Sequence, residues 1–520
     1  MEKKYSKKYV LTSIAIIVAL GGLLMGFDAS VISGVVKFIE IEFNLTKLEL
    51  GWSVASLTLT ATLAMFISGP LSDKIGRRTV LRYAAILYAI SAVGSALAPD
   101  FFWLVIARMI GGFGVGASLI LAPMYIAEMA PAELRGRLVS FNQLNIVIGI
   151  SLAFFTNYLI LHYGTSGESW AQSLGLDKHN WRWMLGIEAV PAILYFLGLF
   201  FVPRSPRWLI LKGKFEEAKK VMVRLTSPSE AEESLEGILK KNAEDEFKGT
   251  FKELFRKEMK LVLTIGVVMA VLQQITGINS VFFYAPMIFE QAGIGTDASF
   301  VQAIFVGLVN LVFTILAILF IDKLGRKPLL SIGVAGIAIC MFTISYEFNS
   351  ANYKIEKEQL ELILDAEYSQ VDDGFFDSSY ENEESLMTAL ATISSQDNLS
   401  EKKEDILKSA IQLNPIIILI AILGFVASFA ISIGPVMWVL FSELFPNKIR
   451  GIAISFVGLV NSAVSFIVQW IFPWELEHLG SDLTFLIYGL FALAGLAFIL
   501  KYIPETKGKS LEEIETQLVK

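Results

Sequence analysis

The sequence predicts an all-α membrane protein: twelve transmembrane helices in two pseudo-symmetric six-helix bundles, joined by short cytoplasmic helices. Three observations carry that prediction. Of 520 residues, 54% are hydrophobic and only 18% charged, which fits a polytopic membrane protein rather than a large soluble core. Apolar stretches of spanning length recur along the chain. Loop motifs of the first half return in the second at the same internal spacing. The composition also excludes other classes. The formal net charge of −7 comes with no basic tract, so nucleic acid is not an expected partner. A single cysteine, Cys340, allows no intrachain disulfide, and His162, His179 and His478 lack ligand spacing; no metal or other cofactor is expected. Nothing has the pattern of a catalytic triad, so an enzyme is not expected.

The amino end, MEKKYSKKY, is basic and precedes an apolar segment too long for a signal-peptide core. Spans are predicted near 10–36, 52–71, 80–98, 101–127, 138–161, 182–202, 261–289, 299–321, 328–347, 413–441, 451–472 and 483–503. Alternate loops carry Lys74/Arg77/Arg78, Arg135/Arg137, Arg204/Arg207/Lys212, Lys323/Arg326/Lys327 and Lys448/Arg450. Basic loops stay in the cytoplasm, so both termini are expected there. The organisation is then an N-terminal bundle over 1–202, a cytoplasmic linker over 203–260, a C-terminal bundle over 261–503 and a tail over 504–520. In the linker, KFEEAKKVMVRL (214–225) and AEESLEGILKKNAEDEF (231–247) read as amphipathic helices packing under both halves.

The halves repeat. GPLSDKIGRR (69–78) follows the second span and IDKLGRK (321–327) the eighth; EMAPAELRG (128–136) follows the fourth and ELFPNKIRG (443–451) the tenth. In the second pair Pro, Arg and Gly stand at equal distances after Glu. Between Asp322 and Glu443 the second half carries roughly 66 residues more than the first has between Asp73 and Glu128. The excess matches an acidic external insertion over 349–411. Tyr353–Leu364 has helical periodicity there; the remainder reads as solvated.

The seventh span holds the densest set of polar residues at membrane depth: Gln273, Gln274, Thr276, Asn279 and Ser280 in VLQQITGINSVFFYAPMIF (271–289). Hydrocarbon offers such groups no water, so they need a bundle interior or a wet cavity. At 100° per residue Gln273, Thr276, Asn279, Ser280, Phe283 and Tyr284 share a face and Gln274 lies off it. Gly277 and Pro286 are where the helix can loosen and bring both amides round. Neutral donors and acceptors beside aromatic rings suit an uncharged, hydroxyl-rich ligand. The competing reading is interhelical hydrogen bonding, about 0.6 kcal/mol per contact. Gln143, Asn310 and Asn461 lie at mid-span depth in the fifth, eighth and eleventh helices and could ring the same cavity. Gly434/Pro435 would bend the tenth span, and Trp438 could stack on a ligand ring.

Two charges lie within spans. Asp28 in the first and Arg108 in the fourth each fall roughly 10–14 Å below the outer surface at 1.5 Å per residue, so they can meet. Burial and a neighbouring cation act oppositely on a carboxyl's hold on its proton, which lets such a pair serve as a proton site; a static ion pair is the alternative. GGFGVG (111–116) lies within an apolar helix with no preceding strand, so Gly112 and Gly116 serve close helix approach rather than phosphate. KGKS (507–510) lacks the leading glycine of a nucleotide loop. The loop charges Asp73, Glu128, Arg135, Asp322, Arg326, Glu443 and Arg450 can form ion pairs between the halves; paired, they would favour a state closed to the cytoplasm, the alternative being charge that only orients the chain in the membrane.

GPLSDKIGRR, EMAPAELRG, RSPRWL, QQITGIN, GPVMW, ELFPNKIRG and the terminal PETKG (504–508) together resemble the sugar porter branch of the major facilitator superfamily. The resemblance runs from the first span to the tail, interrupted by 349–411. It implies the major facilitator fold and alternating access by two halves around a midplane site. By position, Gln143, Gln273, Gln274, Asn279, Asn310 and Trp438 look like the family's sugar-contacting set, with Asn461 at a contacting place of variable type. Asp28 with Arg108 looks like the proton-coupling pair of bacterial symporters. Three residues depart: Arg204 stands for the usual Glu of PESPR, Phe283 for a frequent Tyr, and Ser462 for a Trp. The implied function is proton:monosaccharide symport in the cytoplasmic membrane by a monomer surrounded by lipid. A passive facilitator and a non-transporting sugar sensor are the alternatives.

Overall fold

The computed structural model describes residues 2–226, 232, 235, 250–364, 373–380, 383–394, 399, 402–446, 448–509 and 513–514. Among the described residues eleven helices are long and apolar enough to cross a membrane. They begin with Glu2–Val31, Lys47–Ile75, Arg77–Ala96, Phe101–Met129 and Ala132–Thr165 in the N-terminal half. The sixth span differs from the continuous helix predicted over 182–202. It is built from Asn180–Gly186 and Ala189–Gly198. Pro191 is the cause: it has no N–H for the carbonyl of Ile187, four residues back, and its ring crowds that carbonyl.

Two further breaks fall where a ligand site needs irregular backbone. The seventh span divides into Lys260–Ile275 and Ile278–Gln291 at Gly277, whose φ is +87°. That left-handed conformation favours glycine, and a Cβ there would lie 2.4 Å from the ring of Tyr488. The tenth divides into Pro415–Ile431 and Ile433–Leu444 at Ser432, because Pro435 cannot bond the carbonyl of Ile431. The eighth, ninth, eleventh and twelfth run unbroken over Thr296–Leu324, Arg326–Asn349, Arg450–His478 and Gly480–Tyr502. As expected, Gly112 and Gly116 let the fourth span approach the second: Cβ atoms there would meet Thr60 Oγ1 at 2.0 Å and Ala61 O at 2.1 Å.

The halves meet along three lines: second span against eleventh, fifth against eighth, and the C-terminal end of the first against the seventh. Hydrogen bonds mark them: Trp470 Nε1 donates to Leu48 O at 3.2 Å and Ser151 Oγ to Gly307 O at 2.9 Å. At the insertion end Lys37 Nζ, just past the first span, reaches Glu290 Oε1 at 2.8 Å and Thr296 Oγ1 at 2.7 Å, both across the interface. Lys37→Ala is expected to raise the share of molecules parted at that end by about fivefold, the worth of one part-buried ion pair near 1 kcal/mol. Distance distributions between spin labels on the two halves at that end measure this.

The linker touches both halves. Leu225 packs in the N-terminal core, Phe251 and Phe255 meet Phe456 of the eleventh span, and Lys448 Nζ lies 3.0 Å from Glu253. The helix expected over 231–247 lies outside the described residues except at 232 and 235. The insertion is more ordered than its acidity suggested. Asn352–Tyr353 pairs antiparallel with Ile411–Gln412, and Ile355, Leu360, Leu364, Phe376, Leu386 and Ile406 form a core of their own. Pinning both ends lowers the entropy of closing the segment, so few apolar side chains suffice.

Each half carries one copy of the repeated charge cluster, at the basic end. Arg77 lies 2.6 Å from Asp73 and 3.2 Å from Glu128; Arg326 lies 3.1 Å from Asp322 and 2.7 Å from Glu443. Among the described residues these clusters close within each half, so in this conformer they do not pair between the halves. The reason is local, since Asp73–Arg77 and Asp322–Arg326 are four apart and adjoin on one helical turn. Arg450 Nε donates to Phe445 O at 3.0 Å, again within its half. The side chain of Arg135 lies outside the described residues. Glu505 of the tail joins the C-terminal cluster, accepting from the backbone N–H of Arg326 at 3.0 Å and Lys327 at 3.1 Å. Burial alone pushes the Glu505 carboxyl up, but backbone donors from Lys507, Arg326, Lys327 and Thr506 outweigh it and hold it below the usual carboxylate range. A carboxyl depressed on folding adds stability above its unfolded pKa and loses it as pH falls through the folded one. Glu505→Gln should therefore cost about 1 kcal/mol at neutral pH, the scale of partly exposed charge-assisted bonds. The difference should vanish in acid, as thermal unfolding followed against pH would show.

Candidate functional site

The break at Gly277 turns two amides that a straight helix would separate onto one another. Asn279 Nδ2 donates to Gln274 Oε1 at 2.7 Å and to Ser465 Oγ of the eleventh span at 2.6 Å. Gln274 Nε2 donates to Gln273 Oε1 at 3.3 Å and Asn461 Oδ1 at 3.1 Å. Asn461 Nδ2 returns a bond to Gln273 Oε1 at 2.8 Å and another to Ala270 O at 2.8 Å. Gln273 Nε2 reaches the carbonyls of Ile433 and Gly434 at 3.2 Å, at the break in the tenth span. Four amides expected at one site are thus joined in one lattice.

The lattice continues from Ser465 through Gln469 to Thr58, three residues that sequence reasoning missed. Gln469 Nε2 donates to Ser465 Oγ at 2.6 Å, and Thr58 Oγ1, from the other half, donates to Gln469 Oε1 at 2.8 Å. The signal was present: Asn461, Ser465 and Gln469 recur every four residues on one face of an apolar helix. Each NH₂ group of the four amides spends both hydrogens inside the protein. Asn279 Oδ1 accepts no bond among the described residues and its side chain is half-buried. A hydroxyl-bearing ligand would therefore enter chiefly as a donor to carbonyl oxygens, or by displacing lattice bonds.

Other expected residues take different places. Asn310 is buried, one turn from Gly307 where the eighth span crosses the fifth, whereas Gln143 of the fifth span is exposed. Trp438 is 43% exposed and meets Phe441 edge to face at 5.8 Å, leaving much of its indole open. Phe283 and Tyr284 are buried. The Tyr284 hydroxyl donates to Gln469 O at 3.0 Å and its ring packs on Phe472, so it braces the seventh span against the eleventh.

Asp28 and Arg108 meet as matched depth predicted. Arg108 Nη1 lies 3.4 Å from Asp28 Oδ1, its Nε donates to Ser53 O at 3.0 Å, and both side chains are 2% exposed. Asp28 Oδ2 is buried without a partner. Glu188, at the break in the sixth span, was overlooked. It is 2% exposed, its Oε1 has no partner, and it interacts electrostatically with both Asp28 and Arg108. A lone carboxyl within an apolar run, at a depth like that of Asp28, was the available signal. The ionisable cluster thus sits wholly in the N-terminal half and the amide lattice almost wholly in the C-terminal half.

Comparison with known proteins agrees with this architecture. The model of the family described as "Sugar (and other) transporter" matches residues 14–360 and 385–518. The chain is 35% identical to the arabinose-proton symporter of Bacillus subtilis (strain 168), covering 100% of this chain and 97% of the relative. It is 36% identical to the D-xylose-proton symporter of Escherichia coli (strain K12), covering 99% and 97%. An inward-open structure of the xylose transporter XylE from E. coli superposes with a TM-score of 0.74 at 34% identity, covering 98% of this chain and all of that one. With a broken-helix amide site in one half and a buried ion pair in the other, this chain belongs to the sugar transporter family and has the twelve-helix major facilitator fold.

Proposed function

We propose that this protein is a proton-coupled symporter of a monosaccharide, working by alternating access as a monomer surrounded by lipid in the cell membrane, with both termini in the cytoplasm. The observation that carries the reading is the buried Asp28–Arg108 pair lying in the half opposite the neutral amides. A carboxylate with one oxygen unpartnered in a dry site is held by Arg108 while charged; a proton on it frees the guanidinium and changes which conformer is favoured. The sugar contributes nothing to that charge balance, so its amides lie elsewhere. Gln273, Gln274, Asn279 and Asn461 hold the hydroxyls, Trp438 covers an apolar ring face, and Gln143 and Asn310 complete the cavity from the fifth and eighth spans.

The conformer fits release to the cytoplasm. Lys37–Glu290 ties the halves at the insertion end, and at the basic end the charge clusters close within each half. The gating role follows. Asp73, Glu128, Asp322, Arg326, Glu443 and Arg450, with Arg135, exchange partners across the interface when the cytoplasmic side shuts, where water makes the exchange cheap. The relatives named for arabinose and xylose make aldopentoses the first sugars to try. The test is uptake of labelled pentoses and hexoses into proteoliposomes with an imposed pH gradient. Accumulation above the external level, abolished by a protonophore, is the expected result. Equilibration without accumulation would replace symport by facilitated diffusion.

A further inference from the structure

Arg78, Arg82 and Arg204 gather at the basic end of the N-terminal half, and neither the sugar site nor the gate uses them together. Arg78 Nη1 donates to Val202 O at 2.9 Å and Arg82 Nη2 to Leu199 O at 3.1 Å, so each reaches a carbonyl at the close of the sixth span. That capping leaves most of their donors over. Both Nε atoms are buried without a partner. Arg204 adds its like charge to both, more strongly on Arg78 than the attraction of Tyr125 or of Glu217. Tyr125 has its hydroxyl engaged by Pro203 O at 2.6 Å, and Glu217, half-exposed, stands 3.8 Å from Arg204. Among the described residues the three neighbouring guanidinium groups share a single half-exposed carboxylate, which pairs with Arg204 alone, and Arg204 also lies over the Trp208 ring; the excess of cationic donors suits an anion.

A second feature meets this one. A groove of about 500 Å³ opens on the outside of the bundle between the third span and the second helix of the sixth, lined by Ala85, Ala89, Val93, Ile193 and Phe196. Residues 82, 85, 89 and 93 recur at three- and four-residue steps, so Arg82 stands on the groove's own face, one turn past its end. Its guanidinium lies 3.9 Å from the ring of Phe200, itself one turn beyond Phe196. The apolar channel therefore runs straight into the arginines. We propose that this groove holds an acyl chain of an anionic phospholipid whose phosphate is bound by Arg78, Arg82 and Arg204. Charge complementarity selects the occupant: an apolar chain alone would leave the cations unmet, and a soluble phosphate would leave the groove empty.

The test is native mass spectrometry of the full-length protein released from micelles containing equal phosphatidylglycerol and phosphatidylcholine. The unaltered protein should retain phosphatidylglycerol preferentially. Arg204→Glu, which leaves both arginine–carbonyl bonds in place, should lower that preference by about 25-fold, two unit charges at roughly fivefold each. Ala89→Phe, which fills the groove and touches no arginine, should lower the retention of phosphatidylglycerol while sugar uptake by both variants persists as proof of folding. Equal retention of the two lipids by the unaltered protein would overturn the proposal. So would full preference surviving in Arg204→Glu, undiminished retention of phosphatidylglycerol by folded Ala89→Phe, or displacement of the lipid by inorganic phosphate alone.

Discussion

Asp28→Asn will abolish proton-driven accumulation of sugar and leave exchange of labelled for unlabelled sugar intact. With one proton carried per sugar, a gradient of one pH unit is worth about 1.4 kcal/mol and sustains roughly tenfold accumulation. The variant is expected to stop at equality. Asparagine keeps the size and one acceptor of aspartate, so the 3.4 Å approach to Arg108 Nη1 and the Arg108–Ser53 bond can persist. What disappears is the titration. Arg108 is then left buried beside a neutral partner, with Glu188 the remaining carboxyl that acts on it. Slower exchange is tolerable; the decisive ratio is accumulation against exchange. Accumulation at the unaltered level would place the coupling proton on another group.

Gln274→Ala is the counterpart in the other half. Gln274 is the member of the lattice bonded to Gln273, Asn279 and Asn461 at once. Truncation removes the proposed ligand contact and leaves Asn461 Oδ1 and one hydrogen of Asn279 Nδ2 without their partner. A lost bond together with unsatisfied buried groups amounts to about 2–3 kcal/mol, a rise in sugar Kd of roughly 30- to 150-fold. Titration calorimetry on purified protein measures it, with thermal stability recorded in the absence of sugar. An unchanged Kd with a lowered Tm would mean that the lattice is helix-to-helix glue and that sugar binds elsewhere.

How much of this was legible depended on the range of the interaction. The polar residues of the seventh span announced themselves because amides are costly in hydrocarbon, and Gly277 showed where the helix would part. Asp28 and Arg108 were paired by depth alone, since one rise per residue fixes both positions. Partners drawn from other helices were harder. Thr58 and Gln469 stand 411 residues apart in sequence, and nothing local says that an unremarkable threonine ends the amide chain. Glu188 hides inside an apolar run that reads as one continuous span, and only the bond that Pro191 cannot make to Ile187 marks the break beside it. The direction of charge pairing was beyond reach for another reason. Each arginine has several carboxylates within reach of its loop, and the sequence alone does not say how the halves are arranged around them.

The folded insertion has a mechanical meaning. Its closing strand residue Ile411 and the carbonyl of Lys408 fill the space beside Gly293, three residues past Glu290 in the turn that ends the seventh span. Any swing of the half-helix Ile278–Gln291 away from Lys37 must carry the appended body along or slide beneath it. The carrier thus wears a handle outside its sugar path. A nanobody gripping that handle could brake the transport cycle without ever competing for the cavity.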